Sequence, residues 1–115
     1  YYDLVIVTNE DMIKNNPDVV ERFLRAVSRG YKETAKKPSN AIQLMKNANP
    51  EFDTSVGNKE ILLEAPPWFA DNGKFGWQEE NKWLSFAQWV KDGGLLTKPV
   101  DARQAFTNSF VESLK

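Results

Sequence analysis

The stretch YYDLVIVTNE, residues 1–10, decides the fold class of this chain. Its middle, residues 4–7, is a run of strongly apolar side chains with no alternation between apolar and polar. A strand that is apolar on both faces is typical of the middle of a sheet that helices cover. We therefore predict a β-strand over residues 2–8. Because one strand cannot satisfy its own backbone N–H and C=O groups, its partner strands must come from elsewhere.

Helix signals begin directly after this strand. Thr8, with Asp11 three residues later, resembles a capping box and predicts a short helix over residues 9–14. Asn16 followed by Pro17 predicts a new start, with asparagine as N-cap and proline in the first helical position. The apolar spacing that follows predicts one long amphipathic helix over residues 17–36.

The rest of the chain also reads as helical. Further helices are predicted over residues 39–48, 59–65 and 78–91, with short helices within 102–114. Ser39, Asp101 and Thr107 are the predicted N-caps, and Gly93-Gly94 is the predicted left-handed stop after residue 91. In sum we expect a mostly α chain with one N-terminal strand and five or six helices.

Composition argues against several classes of function. The chain has 115 residues and a net charge of −1, and it contains no cysteine and no histidine. It therefore lacks thiolate ligands and the side chain best suited to proton transfer near neutral pH. We expect no catalytic residue, no metal site and no cofactor. No apolar run approaches the roughly 20 residues of a membrane-spanning helix.

A basic stripe follows the long helix. Its members, at helical spacing, are Arg22, Arg25, Arg29, Lys32 and Lys36. Acidic residues interrupt the stripe, and the overall charge is not positive. We interpret it as a solvated helix face and expect no nucleic-acid partner.

The aromatic residues are the candidates for ligand contact. Trp68 and Trp77 lie in non-helical stretches beside proline and glycine, where an aromatic ring either fills a groove between helices or lines a pocket. Tyr1 and Tyr2 lie at the start of the predicted strand, and ligands of open α/β sheets bind at strand ends. The candidate substrate-binding residues are therefore Tyr1, Tyr2, Trp68 and Trp77.

The order of these segments resembles a known family. The runs YYDLVIVTNEDM (1–12), NNPDVVERFLRAVSRGYKETAKKPSNAIQLM (15–45) and FGWQEENKWLSFAQWVKDGGLLTKPVDARQAFTNSFVESL (75–114) are similar to the C-terminal segment of ABC-transporter solute-binding proteins. The resemblance is to the thiamine-pyrimidine-precursor-binding family, whose relatives take riboflavin, nitrate or sulfonate, and taurine-like solutes. No motif in this chain separates these ligands.

The resemblance implies an α/β parent of the periplasmic-binding-protein-like type II fold, with two lobes joined by a hinge. Residues 1–115 would be the C-terminal part of one lobe, and residues 2–8 would be the returning hinge strand. Such a parent is extracytoplasmic, in the periplasm or as a lipoprotein on the cell surface. It captures a small solute and delivers it to an ABC permease, without covalent chemistry. Most ligand contacts of the family would lie in segments outside this chain.

Two other functions remain open from the sequence. One is a biosynthetic enzyme of the same fold that makes the pyrimidine precursor. The other is a self-contained helical interaction module that dimerises through its strand. For the isolated piece we expect a homodimer through residues 2–8, since an exposed edge strand pairs with a second copy.

Overall fold

The computed structural model describes residues 1–53 and 73–114, and within them the chain is helical. Four α-helices and a short 3-10 helix follow one another within these described residues. They are α1 (Glu10–Asn15), α2 (Pro17–Lys36), α3 (Pro38–Ala48), α4 (Glu80–Asp92) and a 3-10 helix (Ala102–Gln104). The mostly α character is therefore as predicted. The helix predicted over residues 59–65 lies outside the described residues.

The prediction of a strand over residues 2–8 is wrong for this chain. None of these residues belongs to a strand, and the apolar run in their middle lies in the solvent. Leu4 is 77% exposed and Val7 is 81% exposed. The physical reason is that a β-ladder needs a second strand, and the described residues contain none. The pattern typical of a buried strand is present in the sequence, but residues 1–53 and 73–114 form no sheet into which it could be buried.

Helix α1 begins one residue later than predicted, and a different side chain caps it. The Oδ1 atom of Asn9 accepts a hydrogen bond of 2.8 Å from the backbone N–H of Met12. The prediction that Thr8 caps this helix is therefore wrong. Asn9 is the N-cap. Glu10 and Asp11 place negative charge in the first turn, where it interacts favourably with the positive end of the helix dipole.

Helix α2 has the predicted limits, residues 17–36. Pro17 occupies the first helical position, although the side chain of Asn16 makes no capping hydrogen bond. Ion pairs at a spacing of four residues, such as Asp18 with Arg22 at 3.2 Å, support its solvent face. The apolar face is only partly covered, since Val20 and Leu24 are half-buried and Phe23 is exposed. Helix α2 thus has an apolar stripe that the described chain does not fully bury.

Helix α3 follows α2 after a single residue, Lys37. The first residue of α3 is Pro38, and Lys37 occupies the N-cap position without a side-chain hydrogen bond. The prediction of Ser39 as the cap is wrong, because Ser39 already lies inside the helix. Helices α1 and α3 both pack against α2.

Helix α4 covers Glu80–Asp92 instead of the predicted residues 78–91, and it ends at the predicted glycine pair. The backbone N–H of Leu95 donates to the carbonyl of Val90 at 3.1 Å, and that of Gly94 donates to the carbonyl of Lys91 at 3.0 Å. These two bonds form a Schellman motif, which needs a left-handed residue between them. Gly94 supplies it with φ of 69°, whereas Gly93 has an ordinary φ of −75°.

The last stretch contains turns where helices were predicted. Asp101 caps the 3-10 helix by accepting from the N–H of Arg103 at 3.1 Å, as predicted, but that helix ends at Gln104. The helix predicted from Thr107 to residue 114 is wrong, because residues 109–113 form turns. Thr107 accepts from the N–H of Ser109 at 3.2 Å, so its hydroxyl closes a local turn there.

The core of the described chain is small. Among the described residues just two apolar side chains are buried, Ala102 at 4% exposure and Val111 at 6%. The solvent-accessible surface is 8895 Å², whereas a folded monomer of this mass exposes about 6,400 Å². The chain therefore presents more surface than a folded monomer of its mass, and large apolar side chains such as Val7 and Phe23 are exposed.

Candidate functional site

A large cavity lies between the N-terminal segment, α2 and the C-terminal turns. Its volume is about 850 Å³. One wall consists of the apolar run 4–7 and apolar side chains of α1 and α2, including Ile13, Val20 and Leu24. The opposite end is formed by residues 75–78, Trp83 and residues 104–107. The cavity thus has an aliphatic wall and an aromatic end, and we treat the aromatic end as the candidate site.

Three aromatic rings meet at the aromatic end, where Trp83 lies against both Phe106 and Tyr2. Trp83 and Phe106 are parallel, with an angle of 2° between the rings and 5.8 Å between the centroids. Tyr2 also lies close to Trp83, with a centroid distance of 6.0 Å and a tilt of 39°. Helix α4 carries Trp83, the N-terminal segment carries Tyr2, and the C-terminal turns carry Phe106. Three distant parts of the chain therefore meet at one ring cluster.

Gln78 connects this cluster through hydrogen bonds. Its side-chain Oε1 accepts from the indole N–H of Trp83 at 2.7 Å. Its backbone N–H donates to Oδ1 of Asn108 at 3.0 Å, and its carbonyl accepts from the amide of Asn108 at 2.8 Å. Asn108 therefore pairs with the backbone of Gln78 in both directions, as a neighbouring strand would.

Tyr2 holds the start of α4. Its hydroxyl oxygen accepts a hydrogen bond of 2.6 Å from the backbone N–H of Glu79, the N-cap residue of this helix. The side chain of Glu79 does not cap the helix. It accepts instead from the indole N–H of Trp77 at 3.1 Å. The residues just before α4 thus have hydrogen-bond partners from both ends of the described chain, Tyr2 and Asn108.

Lysine side chains lie over two of the rings. The Nζ atom of Lys74 lies 4.7 Å from the ring centroid of Trp77, and that of Lys82 lies 5.1 Å from that of Tyr2. Both distances are within the range of cation–π attraction. Each ammonium group helps to fix the orientation of the ring beneath it.

Only some of the predicted site residues line the cavity in the described part of the chain. Tyr2 and Trp77 both line the cavity, so the structure brings these two together. Tyr1 lies on the neighbouring surface, where its ring stacks on Phe86 with centroids 5.4 Å apart. Trp68 lies outside the described residues. No sequence pattern singles out Gln78 or Asn108, because their roles depend on contacts between residues 30 positions apart.

The chemistry of the aromatic end suits a flat ring system. Aromatic faces favour stacking, and hydrogen-bonding groups of Gln78, Gln104 and Thr107 line the same cavity. In residues 1–53 and 73–114, no group of three or more acidic, histidine or cysteine side chains is placed to hold a metal ion. Within the same ranges, no helix has the length and the apolarity that crossing a membrane requires.

Comparison with known proteins shows a family resemblance over part of the chain. The family model described as NMT1/THI5 like matches residues 1–41 of this chain. The riboflavin-binding protein RibY of Chloroflexus aurantiacus is 34% identical over 114 residues, which cover 92% of this chain and 32% of RibY. The resemblance to the NMT1/THI5-like family is thereby confirmed.

Two further relatives accompany this NMT1/THI5-like match. The formylaminopyrimidine-binding protein of Halalkalibacterium halodurans is 26% identical over 112 residues, covering 94% of this chain and 34% of that protein. The 4-amino-5-hydroxymethyl-2-methylpyrimidine phosphate synthase of Legionella pneumophila is 28% identical over 95 residues, covering 83% of this chain and 29% of the synthase. No solved structure matches the chain significantly.

This chain spans about a third of the length of these curated relatives. Two of the three are named as binding proteins and one as an enzyme. The thiamine-precursor-binding family predicted from the sequence agrees with the family model and with the two binding-protein relatives.

Proposed function

We propose that this chain is the C-terminal part of one lobe of a two-lobe solute-binding protein with the periplasmic-binding-protein-like type II fold. The exposed apolar run 4–7 supports this, since in such a parent residues 2–8 would return across the hinge and join a sheet. The partly uncovered stripe of α2 supports it as well. The relatives are about three times as long as this chain, so a parent of that length would contain further strands that could cover the run 4–7 and the stripe of α2.

The proposed ligand is a small planar heterocycle, a thiamine pyrimidine precursor or a related ring compound. The printed names of two relatives, which specify riboflavin and formylaminopyrimidine, support this class. Both are flat, nitrogen-containing ring systems, which aromatic side chains bind by stacking. Tyr2 and Trp77 are the proposed contacts from this chain, together with Tyr1 and Trp68, which the sequence also favours. Binding would close the two lobes around the ligand.

The proposed role is the substrate-binding component of an ABC importer. The parent would work outside the cytoplasm, in the periplasm or as a lipoprotein on the cell surface. It would pass its solute to a permease without covalent chemistry and without a cofactor. The observation that carries the proposal is the similarity to RibY over 92% of this chain.

Two measurements on the full-length protein that contains this chain test the proposal. Mass spectrometry of small molecules extracted from the purified protein should detect a pyrimidine or a flavin. A thermal-shift screen should give a rise in Tm with riboflavin or formylaminopyrimidine, since a ligand that binds the native state stabilises it. If no heterocycle is extracted and no ring compound shifts Tm, the proposal is wrong.

A second candidate function is the synthesis of a pyrimidine phosphate. The observation that favours it is the relative from Legionella pneumophila, which is named as a synthase and matches 83% of this chain. An enzyme of this kind would need reactive residues outside this chain, which contains no histidine and no cysteine. Accumulation of a pyrimidine phosphate in a reaction with the purified full-length protein would favour this function over solute capture.

A further inference from the structure

Asn108 lies behind the aromatic end of the cavity without lining it. Its amide group pairs with the backbone of Gln78 through two hydrogen bonds, of 3.0 Å and 2.8 Å. Both groups are partly buried. A two-way amide pairing of this kind fixes both the position and the orientation of the backbone that it holds.

Gln78 is the residue through which this pairing reaches the cavity. It follows Trp77 directly in the chain, and its side chain accepts from the indole N–H of Trp83. Trp77, Gln78 and Trp83 all line the cavity. Displacement of the backbone at Gln78 would therefore move one tryptophan and release the hydrogen bond that orients the other.

We infer that Asn108 is a positioning residue for ligand stacking, acting through Gln78 on the rings of Trp77 and Trp83. This inference rests on the proposed function, since it concerns the same cavity. Asn108 would set the spacing between the tryptophan rings and a bound flat ligand, without itself contacting that ligand.

The test uses the full-length protein and riboflavin, whose own fluorescence is quenched when its ring system stacks on an indole. Two quantities are measured: Kd, and the fraction of fluorescence that remains when all riboflavin is bound. Asn108→Ala should raise Kd about tenfold, as expected for the loss of partly buried hydrogen bonds. It should also raise the remaining fluorescence at saturation, because the rings no longer lie at the same spacing.

The matched control is Asn47→Ala. Asn47 accepts a hydrogen bond of 2.9 Å from Gln43 on the exposed face of α3, away from the cavity. This variant loses one asparagine amide and one hydrogen bond, yet it should leave both Kd and the remaining fluorescence unchanged. A loss of stability alone would lower the folded fraction without changing the fluorescence of the riboflavin that is bound.

Asn108→Asp adds a finer test. The carboxylate can still accept from the N–H of Gln78, but its second oxygen would face the carbonyl of Gln78, where the amide now donates. We expect binding at neutral pH to be at least as weak as in Asn108→Ala. Where Asn108→Ala fails to fold, Asn108→Ser, which keeps one hydroxyl group, takes its place in the comparison.

If the Asn108 variants bind riboflavin with the wild-type Kd and the wild-type remaining fluorescence, the inference is wrong. The proposed function would then still stand, because the protein binds the ligand. If the wild-type protein binds neither riboflavin nor formylaminopyrimidine, the proposed function is wrong and the inference falls with it.

Discussion

The hydroxyl oxygen of Tyr2 accepts a hydrogen bond of 2.6 Å from the backbone N–H of Glu79, 77 residues later in the chain. Glu79 is the N-cap residue of α4 and has no side-chain capping bond of its own. A tertiary contact therefore takes the place of a local cap. It also ties the N-terminal segment to the helix that carries Trp83.

Removal of this hydroxyl should destabilise the lobe. Tyr2→Phe keeps a ring next to Trp83 but leaves the N–H of Glu79 without this acceptor. We expect the free energy of unfolding of the full-length protein to fall by about 1 kcal/mol, the typical contribution of one hydrogen bond. Urea denaturation measures it.

The control is Tyr1→Phe. The ring of Tyr1 stacks on Phe86, and its hydroxyl makes no hydrogen bond within the described part of the chain. Its loss should change stability by no more than about 0.5 kcal/mol. Equal effects of the two substitutions would contradict the role given to the Tyr2 hydroxyl.

The same substitution at two glycines should have opposite effects. Gly94 has a φ of 69°, and a Cβ atom there would meet nothing within 4 Å, so only backbone strain opposes alanine. We expect Gly94→Ala to cost about 1 kcal/mol. Gly30 lies inside α2, also with open space around a Cβ atom, so Gly30→Ala should stabilise by roughly 0.5–1 kcal/mol.

Thermal unfolding of both glycine variants checks the sign. A stabilising effect of alanine at position 94 would mean that the left-handed turn after α4 is not required. A destabilising effect at position 30 would mean that the full-length protein packs another segment against that point of α2.

Ligand stacking predicts different effects for two tryptophans. Trp77 lines the cavity, whereas Trp89 is 65% exposed and stacks on Phe86 on the outer face of α4. Trp77→Leu should weaken the binding of a planar heterocycle by about three- to tenfold, the range of one aromatic contact. Trp89→Leu should leave the affinity unchanged. Equilibrium dialysis with the full-length variants compares the two.

The exposed apolar run predicts self-association of the isolated 115-residue chain. Light scattering should find a dimer or larger species, since residues 4–7 offer an apolar segment with unpaired backbone groups. The double variant Leu4→Lys/Val7→Lys should be monomeric, because charge on such a segment opposes pairing. Leu44→Lys, at an equally exposed position of α3, should still associate. A wild-type chain that stays monomeric would contradict this prediction.

Much of the helical fold could be predicted from local signals, and the failures have separate causes. The limits of α2 follow from Pro17 and Pro38, and the end of α4 follows from Gly94, because these residues act on their own backbone. The strand over residues 2–8 could not be predicted correctly for this chain, since its formation depends on partner strands. The choice between Thr8 and Asn9 as cap was also open, because both residue types cap helices and they are adjacent.

The candidate site was predictable only in part. Tyr2 could be selected because it lies at the start of the predicted strand. Trp77 could be selected because it lies in a non-helical stretch beside glycine. The parallel contact of Trp83 with Phe106 and the pairing of Gln78 with Asn108 join residues 23 or more positions apart. No periodicity or motif in one sequence encodes such contacts, since they arise when α4 and the C-terminal turns pack together.

The central claim is that this chain is part of a protein that captures a planar heterocycle. Isothermal titration of the full-length protein with riboflavin and with formylaminopyrimidine tests it most directly. The account predicts saturable binding of one molecule per protein for at least one of them, with Kd below about 10 μM. Heats no larger than those of dilution for both compounds, at ligand concentrations in the millimolar range, would contradict it.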